Sequence, residues 1–139
     1  MYIPKKFKYK KLQKCRIKNI YQQNVNKYNG GYYGSFLLKA LVKGEITPQQ
    51  LESVRKKLIK EIKKFGKIWI RVFSTIIRTS KPAEVRMGKG KGSLNYWACK
   101  IKAGQILFEI SNIGPSRGYF LLKKVSKSLP LLTKVLKKK

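Results

Sequence analysis

A seven-residue segment, RMGKGKG at positions 86–92, combines the two residue types that most favour contact with phosphate. Three glycines at alternate positions give the backbone conformations that are closed to other residues, and they let a phosphate or another backbone approach closely. The lysines between them supply positive charge at that point of approach. We therefore predict a basic loop that contacts RNA. It comprises Arg86, Met87, Gly88, Lys89, Gly90, Lys91 and Gly92.

Two other interpretations of this loop are a nucleotide site and an ordinary hairpin connection. The eight-residue P-loop pattern and the six-residue dinucleotide pattern are both absent, which argues against nucleotide binding. Glycine-rich links between strands are common, so a plain hairpin loop stays open as an alternative. The position of the segment after Pro82 favours a mobile basic finger that becomes ordered on RNA.

The charge of the whole chain indicates the same class of partner. Of 139 residues, 34 are Lys or Arg and five are acidic, which gives a formal net charge of +29 at pH 7. Such a charge opposes compaction by self-repulsion unless an oppositely charged partner neutralises it. A length of 139 residues with 42% apolar residues is sufficient for one domain with a hydrophobic core. We expect the partner to be a polyanion.

The same composition argues against catalysis, metal binding and membrane insertion. The chain has no His, and its five acidic residues, all Glu, are too scattered for an acid/base pair or a magnesium site. Cys15 and Cys99 lack zinc-site spacing, so each is expected to fill space as a small apolar residue. No apolar run approaches the roughly 20 residues that span a bilayer. We expect no enzyme activity, no cofactor, no metal, no membrane contact and no small-molecule substrate.

The first 29 residues are predicted to form a basic RNA-binding extension of a domain that occupies residues 30–139. Because the extension and the domain carry charge of the same sign, we expect the extension not to pack against its own domain. Its lysines would contact phosphates while its aromatic rings stack on bases or ribose, and a solvated tail is the alternative. The predicted RNA-binding residues are Lys5, Lys6, Lys8, Lys10, Lys11, Lys14, Arg16 and Lys18.

The clearest predicted helix starts after Thr47. Thr47 suits the N-cap, Pro48 suits the first helical position and Gln50 completes a capping box. Gly66 is predicted to end the helix as its C-terminal cap. The apolar stripe comprises Leu51, Val54, Leu58, Ile62 and Phe65. The opposite, basic face comprises Arg55, Lys56, Lys60, Lys63 and Lys64. We expect this face to contact RNA, with a plain solvated surface as the alternative.

The remaining pattern predicts several strands and a second helix. Strands are expected over residues 67–73, 94–102 and 105–110, the last two joined by a turn at Ala103 and Gly104. A further strand, with a short helix as alternative, is expected within residues 33–43. The final helix is expected over residues 118–129, with Tyr119, Leu122, Val125 and Leu129 on one stripe.

Helices and strands do not strictly alternate in this order, which favours the α+β class. The predicted fold is a single compact α+β domain of mixed or antiparallel strands with two main helices and an extended basic N-terminal arm.

Several motifs together resemble one known family. They are GKIWIRVF at residues 66–73, KPAEVRMGKGKG at 81–92, YW at 96–97 and GQILFEI at 104–110, with GSFLLKA at 34–40 and ITPQQLESVRK at 46–56. In combination they are similar to the bacterial-type large-subunit ribosomal protein number sixteen. The similarity runs from the first residues to about Ile110, and the last 29 residues match loosely.

This resemblance implies a structural constituent of the large ribosomal subunit that binds large-subunit rRNA. It also implies that the protein helps to organise the aminoacyl-tRNA site near the peptidyl-transferase centre without performing peptide transfer itself. The loop at 86–92 would reach toward the catalytic RNA, and the helix face around Arg55, Lys56 and Lys60 would lie toward tRNA or RNA backbone. The implied partners are large-subunit rRNA, aminoacyl-site tRNA and neighbouring ribosomal proteins. The alternative function is another basic RNA-binding or RNA-processing protein.

The expected compartment follows from composition and from the same resemblance. Lys is far more frequent than Arg, and Ile, Asn and Tyr are common, as expected for a genome poor in G and C. Because the match starts at the first residues, we expect no transit peptide and synthesis inside an organelle. KPAEVRMGKGKG and GQILFEI are more similar to mitochondrial than to plastid members. A mitochondrial ribosome is therefore expected, with a plastid or the bacterial cytoplasm as alternatives.

Overall fold

A computed structural model describes residues 3–13, 33–63, 66–88 and 90–138 of the chain. Residues 3–13 contain neither helix nor strand. Two helices and seven strands follow within the described ranges. In chain order they are β1 (Phe36–Ala40), β2 (Gly44–Ile46), α1 (Pro48–Ile62), β3 (Lys67–Ile70), β4 (Ile76–Ser80), β5 (Ser93–Ile101), β6 (Ile106–Ser111), α2 (Pro115–Ser126) and β7 (Thr133–Lys137). The α+β class is thereby confirmed.

The strands form two sheets in which every neighbouring pair is antiparallel. The first sheet has the strand order β3-β6-β1-β7, and the second has the order β2-β5-β4. The predicted turn at Ala103 and Gly104 is confirmed, and Gly104 adopts φ +85°, which favours glycine. This turn joins β5 of one sheet to β6 of the other, so it connects the sheets rather than closing a hairpin.

One apolar core holds the two sheets and two helices together. Helix α1 contacts β3 and β5, which belong to different sheets, while α2 contacts β1, β7 and α1. Strand β6 is buried along its whole length. The predicted stripe of α1 is confirmed in its described part. Its buried residues are Leu51, Val54, Leu58 and Ile62.

Cys99 belongs to this core, as predicted for a small apolar residue. Its Sγ lies 3.3 Å from Ser74 Oγ, and both residues are buried. Burial raises the pKa of the Cys99 thiol, because the thiolate loses its hydration, and the hydrogen bond with Ser74 opposes that shift. Cys15 and Phe65 lie outside the described residues.

Helix α1 begins where the capping signals place it. The N–H of Gln50 donates to Thr47 Oγ1 at 3.3 Å, and the N–H of Thr47 donates to Gln50 Oε1 at 2.9 Å. These two bonds form the predicted capping box, and Pro48 occupies the first helical turn.

The prediction that Gly66 caps the other end of α1 is wrong. The C-cap is Lys63, with φ 55°, and its N–H donates to Ile59 O at 2.9 Å. Gly66 is required for packing instead, because a Cβ at that position would lie 2.9 Å from the backbone oxygen of Ser111. The positive φ at the helix end therefore falls on a lysine, three residues before the glycine.

The strand predicted over residues 67–73 is shorter than expected. It ends at Ile70 because the chain then crosses from the first sheet to the second. The N–H of Arg71 still donates to Leu107 O at 3.0 Å, whereas the N–H of Thr75 donates to Ala98 O on β5 at 3.2 Å. Three short strands, β2, β4 and β7, were not predicted from the sequence.

Helix α2 begins and ends three residues earlier than predicted, at Pro115 and Ser126. Tyr119 was expected on the buried stripe but is exposed. The helix approaches β1 closely at Gly118, where a Cβ would lie 2.8 Å from the ring of Phe36. That close approach shifts the buried face toward Gly118. Its other buried residues are Leu121, Leu122 and Val125, and Leu129 beyond the helix is also buried.

Candidate nucleic-acid interface

The RNA-contacting residues predicted from the sequence fall into three groups: the N-terminal arm, the glycine-lysine loop and the basic face of α1. Most lie in described parts of the chain, so their surroundings are defined. The members outside the described residues are Lys14, Arg16, Lys18, Lys64 and Lys89. They stay predictions from the sequence.

The N-terminal arm, residues 3–13, packs against the domain, which corrects the expectation that like charge keeps the two apart. The ring of Phe7 meets Trp97 of β5 edge to face, with centroids 4.9 Å apart and planes at 76°. Lys11 Nζ donates to the backbone oxygen of Lys91 at 2.9 Å. In return, Lys91 Nζ donates to the backbone oxygen of Leu12.

These contacts explain how a basic arm lies on a basic domain. An aromatic pair and two lysine-to-carbonyl bonds are short-range attractions that need no carboxylate. Repulsion between exposed ammonium groups is weakened by solvent and salt. The five lysines of the described arm stay exposed at the surface. They are Lys5, Lys6, Lys8, Lys10 and Lys11.

The glycine-lysine loop joins β4 to β5, which pair with each other, so in topology it is a hairpin loop. Two of its glycines have φ values that other residues rarely adopt, +104° at Gly88 and +82° at Gly90. A Cβ at Gly92 would overlap the backbone oxygen of Ser80. The two predicted properties of these glycines, unusual conformation and close backbone approach, are both confirmed.

The described side chains of the loop are exposed to solvent. Met87 is fully exposed, and Arg86 and Lys91 are also exposed. Lys81 Nζ donates to the backbone oxygen of Gly88, which links the start of the loop to its tip. Since Lys91 also contacts the arm, the arm and the loop form one continuous basic surface, which we call the arm–loop surface (residues 3–13, 81–88 and 90–92).

The basic face of α1 is partly neutralised by the chain itself. Arg55 Nε lies 2.9 Å from Glu52 Oε2, and Arg55 Nη2 lies 2.5 Å from Glu52 Oε1. The hydrogen bond from Arg55 holds the pKa of Glu52 below its usual value. The other described residues of the face, Lys56, Lys60 and Lys63, are exposed.

Helix α2 adds a second set of charge contacts to α1. Lys124 Nζ lies 2.8 Å from Glu61 Oε1, and Arg117 Nη2 donates to the backbone oxygen of Glu61 at 2.9 Å. The hydrogen bond from Lys124 lowers the pKa of Glu61. Lys57 Nζ also donates to Ser128 Oγ at 2.7 Å. These contacts join the two helices at their outer edge.

Sequence reasoning missed a cluster of aromatic and charged side chains before β1. The ring of Tyr33 stacks on Trp69, with centroids 5.8 Å apart and planes at 18°. The guanidinium of Arg71 lies 5.2 Å from the centroid of the Tyr33 ring. The alternation in KIWIRVF does place Trp69 and Arg71 on one face. Tyr33 comes from a distant part of the chain, and no local pattern identifies it.

A buried carboxylate lies beneath this cluster. Glu109 on β6 is fully buried, and its Oε2 accepts from the N–H of Tyr33 at 2.8 Å and of Gly34 at 2.9 Å. Its Oε1 lies 3.5 Å from Arg71 Nε. From the sequence, this glutamate was expected only to be unsuited to acid/base catalysis. In the structure, it fixes the backbone that enters β1.

Within the described ranges, no group of three or more His, Cys, Asp or Glu side chains could hold a metal ion. No helix in these ranges is both long enough and apolar enough to cross a membrane.

Comparison with known proteins gives consistent matches over almost the whole chain. The family model for ribosomal protein L16p/L10e matches residues 4–136. The chain is 42% identical over 135 residues to large ribosomal subunit protein uL16 of Pelagibacter ubique (strain HTCC1062), covering 97% of this chain and 96% of that protein. It is 40% identical over 131 residues to large ribosomal subunit protein uL16m of Prototheca wickerhamii, covering 94% of each. These matches extend into the last 29 residues, where the motifs were loose.

Proposed function

Because the chain belongs to the ribosomal protein L16p/L10e family, it is a structural constituent of the large ribosomal subunit, and we propose that it binds rRNA through the arm–loop surface and the basic face of α1. The observation that carries this proposal is the reciprocal contact between Lys11 and Lys91. It holds two strongly basic segments together without any carboxylate. Such a surface is stabilised when a polyanion covers it.

The proposed mechanism is electrostatic and geometric. Each lysine that replaces a counterion at a phosphate makes binding more dependent on salt, by about 0.7 to 0.9 units in the slope of log affinity against log salt. The core holds the arm, the loop and α1 in a fixed relation, so separate RNA segments are kept in a fixed relation as well. Specificity then comes from the shape of the RNA more than from base-edge contacts.

A finer part of the proposal concerns the aminoacyl-tRNA site. The loop at 86–92 is proposed to lie near the catalytic RNA and the aminoacyl-site tRNA, where it orders RNA and takes no chemical part. Its support is the motif KPAEVRMGKGKG together with the exposed tip at Met87. Neighbouring ribosomal proteins are further proposed contacts.

The loop proposal is tested by neutralising its lysines. We expect a Lys89→Gln, Lys91→Gln variant to impair translation more than folding, because the loop lies outside the core. The control neutralises two exposed lysines of α2 and its end, Lys123→Gln and Lys127→Gln. Translation, subunit occupancy and thermal midpoint are measured for both variants. Normal translation by the loop variant at full occupancy would contradict the proposal.

The compartment is proposed to be a mitochondrial ribosome. The Prototheca wickerhamii relative carries a mitochondrial name, although the Pelagibacter ubique relative is bacterial and similarly identical. The lysine-rich composition supports an organelle genome poor in G and C. Both the function and the compartment are tested by sedimentation. We expect the chain to sediment with the large subunit of mitochondrial ribosomes at low salt, and its absence from that subunit or its presence only elsewhere would contradict this.

A further inference from the structure

The cluster before β1 has the geometry of a stacking site. Tyr33 is 60% exposed although its ring stacks on Trp69 with centroids 5.8 Å apart. Its partner therefore supports the ring without covering it. A supported aromatic ring with an accessible surface is the feature on which bases of single-stranded nucleic acid stack.

The backbone that carries this ring is held by the buried side chain of Glu109. Glu109 is fully buried and accepts hydrogen bonds from the backbone N–H groups of Tyr33 and Gly34. Gly34 is required there, because a Cβ would lie 2.7 Å from the backbone nitrogen and oxygen of Ile110. A ring attached to such a constrained backbone has little freedom to lose when a ligand binds, which favours affinity.

The side chain of Arg71 and the net charge of the chain bear on the class of ligand. The guanidinium of Arg71 lies 5.2 Å from the centroid of the Tyr33 ring and 3.5 Å, at Nε, from Glu109 Oε1. Arg71 therefore lies between the buried carboxylate and the ring, and it helps to hold the ring in place. The chain as a whole carries a formal net charge of +29, which attracts anions. A nucleotide combines a planar base with a phosphate, so it suits both the ring and this charge, whereas an apolar protein side chain suits only the ring.

We propose that Tyr33 is a stacking site for an unpaired base of the large-subunit rRNA, with Trp69 and Arg71 holding the ring in place. The proposal rests on the proposed function and adds to it a contact with a single-stranded or bulged nucleotide. Bases inside an RNA duplex are not free to stack on a side chain, so shape recognition of a helix would not use this site.

The test measures binding of the full-length chain to a large-subunit rRNA transcript at several salt concentrations. We expect Tyr33→Leu to bind about 5- to 150-fold more weakly at every salt concentration, because one stacked base is lost. The slope against salt stays unchanged, because no charge is removed. Tyr33→Phe keeps the ring and should bind like the unmodified chain. Lys60→Gln is the charge control, and it lowers the slope by about 0.7 to 0.9.

Each result decides between the proposals. Equal binding by Tyr33→Leu and the unmodified chain overturns the stacking site and leaves rRNA binding intact. A Tyr33→Phe variant as weak as Tyr33→Leu assigns the contribution to the hydroxyl and also overturns stacking. Failure of the unmodified chain to bind the transcript overturns the proposed function instead.

A second measurement uses only the unmodified chain, so it does not depend on the folding of a variant. Nitration of Tyr33 by tetranitromethane is followed by mass spectrometry for the free chain, the chain on the rRNA transcript and the chain in assembled subunits. Protection of Tyr33 by the transcript alone supports the site. Nitration at the free-chain rate on the transcript overturns it, and protection that appears only in assembled subunits indicates a neighbouring protein as the occupant.

Discussion

The basic face of α1 and the arm–loop surface carry the same sign of charge but are built in opposite ways. The carboxylates of α1 are paired with cations, Glu52 with Arg55 of the same helix and Glu61 with Lys124 of α2. On the arm–loop surface, the lysine contacts go to backbone carbonyls, and residues 3–13 contain no acidic residue.

The difference changes how much charge each surface offers to RNA. An ion pair neutralises its lysine or arginine, so breaking it costs part of the gain from a phosphate contact. A lysine bonded to a carbonyl keeps its full charge, because the carbonyl is neutral. We therefore infer that α1 is stabilised by its own chain, whereas the arm–loop surface depends more on RNA.

The largest effect is expected for a substitution in the core on which both surfaces rest. Leu58 of α1 is completely buried, and Leu58→Ala should lower the free energy of unfolding by about 2 to 5 kcal/mol, because a cavity replaces packed methyl groups. The measurement is the denaturant midpoint. Lys56→Ala, two positions away on the exposed side, is the matched control and should change the midpoint little. Equal midpoints for Leu58→Ala and the unmodified chain would contradict the assignment of the core.

A smaller effect is expected where the arm meets β5. Phe7→Ala removes the aromatic contact with Trp97, which is worth about 0.5 to 1.5 kcal/mol beyond the buried area. We expect trypsin to cut the arm faster in this variant while the domain stays intact. Tyr9→Ala removes an exposed ring from the same arm and serves as control. Equal cleavage rates for the two variants would show that Phe7 does not hold the arm.

The smallest effect concerns the ionisation of the helix face. Lys124→Gln should raise the pKa of Glu61 toward its usual value, because the hydrogen bond from Lys124 holds it low. The pKa of Glu52, which depends on Arg55, should stay unchanged. The pKa of Glu61 is lower in the folded chain. Its pairing therefore stabilises the fold above the usual carboxyl pKa, and this stability is lost as pH falls through the lowered value.

Titration of the carboxyl carbons by NMR measures both groups in one sample. A Glu61 pKa that does not move in the Lys124→Gln variant would show that the pair is absent in solution. The charge of Lys124 would then be fully available to RNA, and the two surfaces would differ less.

Local signals in the sequence predicted much of this molecule. The capping box at Thr47 and the apolar stripe of α1 act within a few residues, so the helix start and its buried face were predicted correctly. The loop glycines were predicted for the same reason, because φ values at Gly88 and Gly90 are local properties. The end of α1 was not predicted correctly, because the packing of Gly66 against Ser111 depends on a strand far along the chain.

Contacts between distant segments explain the remaining differences. The docking of the arm depends on Phe7 and Trp97, which are separated by most of the chain, and charge alone gave the opposite expectation. The exposure of Tyr119 follows from the close approach of Gly118 to β1. The stacking of Tyr33 also joins separate segments. Periodicity along one segment contains no information about such pairs.

The salt dependence of rRNA binding tests most directly the claim that the two basic surfaces offer unequal charge. One variant neutralises two exposed lysines of the arm, Lys6→Gln and Lys10→Gln. The other neutralises the two cations that are paired with carboxylates of α1, by Arg55→Gln on α1 and Lys124→Gln on α2. We predict that the arm variant lowers the slope of log affinity against log salt by about 1.4 to 1.8. The helix variant should lower it by less than half as much, and equal changes in slope would contradict the account.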